Sequence, residues 1–130
     1  MDEKANTGRK KVLIAEDEQD LREALCTAIG AEGIEVLAAD NGEQALATAL
    51  EEHPDLLVLD LMMPKMGGRE VLKKLREDAW GKLLPVIVLT AQSDMETVSN
   101  VIESGGLEYL VKNDWKLEDI AVRVRARLLE

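Results

Sequence analysis

Five short apolar runs alternate with stretches of helical periodicity, and this alternation restricts the fold more than any other feature of the chain. The runs cover residues 12–15, 34–39, 56–59, 86–89 and 109–111. They are too short for buried helices and too continuously apolar for a strand with one wet face, so they read as strands covered on both sides. Between them the period changes to 3.6. The first helix repeats Leu21, Ala24, Leu25, Ala28 and Ile29, and the last repeats Leu117, Ile120, Ala121, Val124 and Leu128. Buried strands separated by helices require a parallel sheet with helices on both faces. The expected class is α/β, a doubly wound five-stranded (βα)5 sheet of flavodoxin-like order 2-1-3-4-5.

Local signals fall where this plan needs them. Asn41 followed by Gln44, and Ser93 followed by Glu96, have the spacing of capping boxes that open helices. Gly33, Gly67-Gly68 and Gly105-Gly106 lie between elements, and Pro85 stands at a strand entrance, where a missing N–H is tolerated. Residues 11–130 are expected to form one domain, of a size that builds its own core. Residues 1–10 are expected to be a mobile tail.

Several function classes are disfavoured by composition. Cys26 is the single cysteine and His53 the single histidine, so a disulfide, a CxxC site or a soft-metal centre is not expected. The net charge of −10 and pI near 4.6 give no basic footprint, and Trp80, Tyr109 and Trp115 are too few for base stacking, so no direct nucleic-acid binding is expected. No apolar stretch approaches the ~20 residues that span a bilayer. The segment "MDEKANTGRKK" has no signal-peptide core, so a cytoplasmic location is expected.

In an open α/β sheet, ligands bind beyond the carboxyl ends of the strands. The first strand delivers Glu16 and Asp17 to that edge, the third Asp60, the fourth Thr90 and the fifth Lys112. In the order 2-1-3-4-5 these converge. Three crowded carboxylates resist joint ionisation unless cations neutralise them. Lys112 is one such cation. The few oxygen ligands suit Mg²⁺ retaining several waters better than caged Ca²⁺. A hard metal, a carboxylate, a hydroxyl and an ammonium are the parts of a phosphoryl-transfer site, with a carboxylate as nucleophile. An aspartate on a rigid strand end can be aimed, and the loop "LMMPKMGG" after it suits close approach of backbone groups.

From about Lys11 to Leu129 the chain resembles a bacterial response-regulator receiver domain. "VLIAEDE", "NGEQALA", "PDLLVLDLMMPKMGG", "LPVIVLTAQ" and "GGLEYLVK" carry the resemblance in order and spacing. It implies that Asp60 is the phosphoacceptor, served by a phosphohistidine of a sensor histidine kinase or histidine phosphotransfer protein. It also implies that Asp17, Asp60 and the backbone carbonyl of Met62 ligate Mg²⁺, with Glu16 acting mainly through a metal-bound water. Lys112 would pair with Asp60 or the phosphoryl oxygens. Thr90 would bond the phosphoryl group, and Tyr109 would swing inward with it, altering the face made by the fourth helix, fifth strand and fifth helix.

Such a protein is a switch that is phosphorylated and dephosphorylated, not a turnover enzyme. The chain departs from the family's usual pattern in having Asn113, where a proline with a cis bond is usual, and Glu16, where aspartate is common. Met62 and Gln92 occupy variable positions expected to tune the lifetime of the phosphoryl group. Glu108, Arg123, Arg125 and Arg127 are similar to residues through which receivers of winged-helix regulators dimerise, so a homodimer or an output domain on that face is the expected partner. Two alternatives compete with this reading. A haloacid-dehalogenase-type phosphatase would carry DxD after the first strand, where this chain has "AEDE". An unphosphorylated interaction module would lack one of the acidic, threonine or lysine residues, and none is missing.

Overall fold

The computed structural model describes residues 9–30, 33–91, 99, 102–103 and 108–129. Five parallel strands, β1 (Lys10–Ala15), β2 (Ile34–Ala39), β3 (Leu56–Leu59), β4 (Val86–Thr90) and β5 (Glu108–Val111), form one sheet in the order β2-β1-β3-β4-β5. Helices α1 (Gln19–Ile29), α2 (Gly42–Glu52) and α3 (Gly68–Arg76) and a C-terminal helix (Leu117–Leu128) cover it. The expected fourth helix lies largely outside the described residues; Ser99, Ile102 and Glu103 are described there, and all three are helical. Ser93, Glu96 and Gly105-Gly106 are outside them too. β1 starts at Lys10, inside the segment expected as tail.

Each strand feeds both faces, as its period of two requires. Leu13, Leu57, Leu59, Val86 and Val88 pack with Ala45 and Ala49 of α2 and Val71, Leu72 and Leu75 of α3. Val12, Ile14, Leu56, Val58, Ile87 and Leu89 pack on the opposite face with Leu25 and Ile29 of α1 and with Ile120, Ala121, Val124 and Leu128. Burying each such Val, Leu or Ile side chain contributes roughly 1.5–3 kcal/mol before chain entropy is charged against it. The sequence pattern therefore registers a sheet that is dry on both sides.

The helix caps differ in detail from the sequence reading. Asn41 Oδ1 accepts the N–H of Gln44 at 2.9 Å, as a capping box requires, but Gln44 Oε1 accepts from Asp40 N at 2.9 Å, one residue further back. His53 closes α2 in the left-handed region (φ 49°), and its ring stacks on Trp80 with centroids 4.1 Å apart. The lone histidine is thus a helix terminator covered by an aromatic ring.

Strand register carries the polar residues to one edge. Ala15 pairs with Leu59, which sets Glu16 level with Asp60; Asp60 N donates to Ala15 O at 3.0 Å. Val88 pairs with Leu59, so Thr90 lies one residue beyond the level of Asp60. Thr90 pairs with Val111, and Lys112 follows directly.

Candidate functional site

Glu16, Asp17 and Asp60 each bring a carboxylate oxygen within 4.8 Å of the others. Glu16 and Asp60 are buried and Asp17 is exposed, so the cluster opens to solvent on one side. Lys112 Nζ sits 2.7 Å from Glu16 Oε1 and 3.1 Å from Asp60 Oδ2, bridging two of the three acids. The first of these is an ion pair without the angles of a directed hydrogen bond, so the buried Oε1 retains acceptor capacity. Met62 N donates to Asp60 Oδ1 at 3.0 Å, and Glu18 N donates to Glu16 Oε2 at 3.0 Å.

The electrostatics follow from burial. Desolvation pushes the Glu16 carboxyl up to about 7; Lys112 and the Glu18 N–H oppose the shift, and the Asp60 charge adds to it. Burial alone would lower the Lys112 ammonium, but Glu16 and Asp60 hold it above its ordinary value. Hard oxygen donors, crowded and short of positive charge, fit a divalent cation of the Mg²⁺ type.

The loop after β3 is held by close backbone approach. A Cβ on Gly68 would overlap the Asp60 carbonyl oxygen, and one on Gly42 would overlap that of Met66. Gly68 N donates to Leu61 O at 3.0 Å and Gly42 N to Pro64 O at 3.4 Å. These glycines let the loop fold back on its own strand and on the start of α2. The turn at Lys65 (φ 68°) is made without glycine.

Thr90 is fully buried at the end of β4. Tyr109 pairs with Val88 as Val111 pairs with Thr90, so Tyr109 and Thr90 project from the same face of adjacent strands. Tyr109 is half-buried against the α2–α3 side of the core. Met62 is exposed, and Gln92 lies outside the described residues. The Lys112–Asn113 peptide is trans, within a short 3₁₀ turn over Lys112–Asp114, and Lys112 still reaches Asp60.

Further polar contacts tie the surrounding elements together. Arg22 Nη1 donates to the carbonyl of Glu16 at 2.9 Å, tying α1 to the acidic loop. Glu108 accepts from Arg123 Nε at 2.6 Å and Arg127 Nε at 2.7 Å within the same chain. Arg123 also lies 5.6 Å from the ring centroid of Trp115, and Arg125 donates to the carbonyl of Ala28. Within the single chain, these contacts fasten the C-terminal helix to β5 and α1.

The family model for the response regulator receiver domain matches residues 12–125. The DNA-binding response regulator MtrA of Mycolicibacterium smegmatis is 37% identical over 123 residues, covering 95% of this chain and 52% of that protein. The probable transcriptional regulator ycf27 of Porphyridium aerugineum is 38% identical over 120 residues, covering 92% and 48%. The chain thus spans about half the length of the curated relatives it matches. Among solved structures, a putative response regulator from Chloroflexus aurantiacus superposes with TM-score 0.82 at 30% identity, covering 94% of this chain and 99% of that one. The chemotaxis response regulator CheY4 of Vibrio cholerae superposes with TM-score 0.82 at 28% identity, covering 92% and 99%.

Proposed function

This chain belongs to the response regulator receiver family of two-component signalling, and from that premise we propose that Asp60 takes a phosphoryl group from a phosphohistidine in a Mg²⁺-dependent reaction. A carboxylate oxygen of Asp60 forms the new P–O bond as the P–N bond to the imidazole breaks, and the imidazole leaves with the electron pair and is protonated. The observation that carries the reading is the convergence of Asp60 with Glu16, Asp17 and Lys112 at one strand edge.

The roles divide by chemistry. Glu16, Asp17, Asp60 and the Met62 carbonyl would hold Mg²⁺, which when bound supplies positive charge to the phosphoryl oxygens. Lys112 adds a second cation, already held beside Asp60 at 3.1 Å. Met62 N fixes the Asp60 carboxylate through Oδ1. Thr90 supplies a hydroxyl hydrogen bond that exists only when the phosphoryl group is present, the kind of differential contact that shifts a two-state equilibrium. Tyr109, on the same face of the neighbouring strand, passes that shift to the surface formed by the fourth helix, β5 and the C-terminal helix.

On this reading the donor is a sensor histidine kinase or a histidine phosphotransfer protein. The receiver of that signal is an output domain or a partner, a second copy included, on the fourth-helix to C-terminal-helix face. The chain is a signalling switch that loses its phosphoryl group by hydrolysis, not a turnover enzyme.

Intact-mass spectrometry after incubation with acetyl phosphate tests this, with Mg²⁺ or a chelator, on wild type and Asp60→Ala. The expected result is one phosphoryl adduct that needs both Mg²⁺ and Asp60. No adduct from folded wild-type protein would overturn the reading in favour of an unphosphorylated interaction module.

A further inference from the structure

The loop that carries two of the three acids is lightly built. Glu16, Asp17 and Glu18 join β1 to α1, and Glu18, which opens α1, makes no side-chain cap. The start of α2 is secured differently, by Asn41 accepting the N–H of Gln44. A helix start without a cap frays more readily.

Arg22 secures the loop from its carbonyl side. Side chains on a helix lean back toward its N-terminus. Half-buried Arg22 does so, and its Nη1 donates to the carbonyl of Glu16 at 2.9 Å and to that of Asp17 at 3.4 Å. The backbone closes the circuit. Arg22 N donates to Glu18 O at 2.9 Å, and Glu18 N to Glu16 Oε2 at 3.0 Å. One side chain on α1 therefore sets the path of the chain at both Glu16 and Asp17.

The charge of Arg22 works against the site it holds. Cations are disfavoured at the positive end of a helix, and a guanidinium beside metal ligands repels a divalent cation. Geometry and charge thus predict opposite effects on Mg²⁺ affinity when Arg22 is removed.

We infer that Arg22 is a positioning residue of the metal site: by bridging two successive carbonyls it holds Glu16 and Asp17 for Mg²⁺, and this outweighs the repulsion of its charge. The inference rests on the proposed Mg²⁺-dependent reading; the clamp itself does not.

The test is Arg22→Met, which removes both the bridge and the charge. Titration calorimetry of chelator-treated protein with MgCl₂ reads the affinity, and amide exchange by NMR in the metal-free protein reads the loop. Removing a group that orients a metal ligand typically costs about ten- to a hundred-fold in affinity. Arg22 acts through backbone carbonyls, so the expected rise in Kd for Mg²⁺ is about ten-fold, the low end of that range. The Glu18 amide should exchange at least about five-fold faster, as local opening allows, while the β1 amides keep their protection. A Kd that is unchanged or lower overturns the inference, and with faster exchange it reduces Arg22 to a structural tie. Unchanged exchange at Glu18 overturns it as well. Should the β1 amides also lose protection, as in an unfolded chain, Arg22→Gln decides by the same two readouts. A wild type that takes up no Mg²⁺, with Glu18 exchange still faster in Arg22→Met, would instead strike the Mg²⁺-dependent reading and leave the clamp.

Discussion

Replacing Glu108 by glutamine removes one charge and almost no volume, and the structure fixes what that should cost. Both carboxylate oxygens are engaged, by Arg123 at 2.6 Å and Arg127 at 2.7 Å. Hydrogen bonds to charged groups contribute roughly 1.5–3 kcal/mol each when sheltered. Here Glu108 is sheltered, but the arginines are 51% and 34% exposed, so solvent screening reduces each pair to about 1 kcal/mol or less. Glu108→Gln should then lose about 1.5 kcal/mol at neutral pH, or roughly 5 °C in melting temperature for a domain of this size. The pH dependence supplies the sharper check. Burial would raise the Glu108 carboxyl, but Arg127 and Arg123 outweigh it and hold the group below its ordinary 4.5. A carboxylate depressed in the folded state contributes stability above its unfolded value and loses it as pH falls through the folded one. The gap between wild type and Glu108→Gln, measured by urea denaturation, should stay constant above about pH 6 and close on acidification below the ordinary carboxylate range. A gap that is absent at pH 7, or that persists unchanged in acid, would refute the assignment of this stability to the two ion pairs.

Other perturbations address the site and the core. Mg²⁺ at about 100 times its Kd should stabilise the protein by ~2.7 kcal/mol in a thermal melt against a chelated control, and Asp17→Asn should reduce the shift. Gly68→Ala should cost about 1–3 kcal/mol, the usual penalty of overpacking, because the new methyl meets the Asp60 carbonyl; slower acetyl-phosphate labelling should accompany the lower melting temperature. Cys26 is half-buried, and burial raises its thiol despite nearby Arg22, so Ellman's reagent should react with it more slowly in native protein than in urea.

The sheet was legible because burial is recorded residue by residue. Val58 faces α1 and Leu59 faces α3, and a strand dry on both sides must be apolar at every position, so the run announces itself without knowledge of its neighbours. The strand ends were legible for the same reason. Once the runs were aligned in the order 2-1-3-4-5, Glu16, Asp60, Thr90 and Lys112 fell on one edge. Gln44 was different: its spacing from Asn41 announced a cap, but which N–H its amide takes depends on the local path of the chain at Asp40, which spacing does not encode. Nor does the sequence encode the backbone at Asn113, where a trans peptide in a 3₁₀ turn delivers Lys112 to the site.

The pairing of Glu108 shows a deeper ambiguity. An acid on one element and arginines on the next are the same letters whether they join two copies or one. What decides is effective concentration: side chains already juxtaposed by the fold meet at far higher local concentration than a second molecule provides. The fold sets Glu108 beside Arg123 and Arg127, so the intrachain pairs form first. A dimer that recruits these groups must break two bonds inside each copy before it gains any between copies. Association through this face must therefore draw its free energy from other contacts, or from a rearrangement beside Glu108 that frees the arginines. On the proposed phosphoacceptor reading, Tyr109, the next residue of β5 and half-buried on the same face as Thr90, would make that rearrangement depend on the state of Asp60.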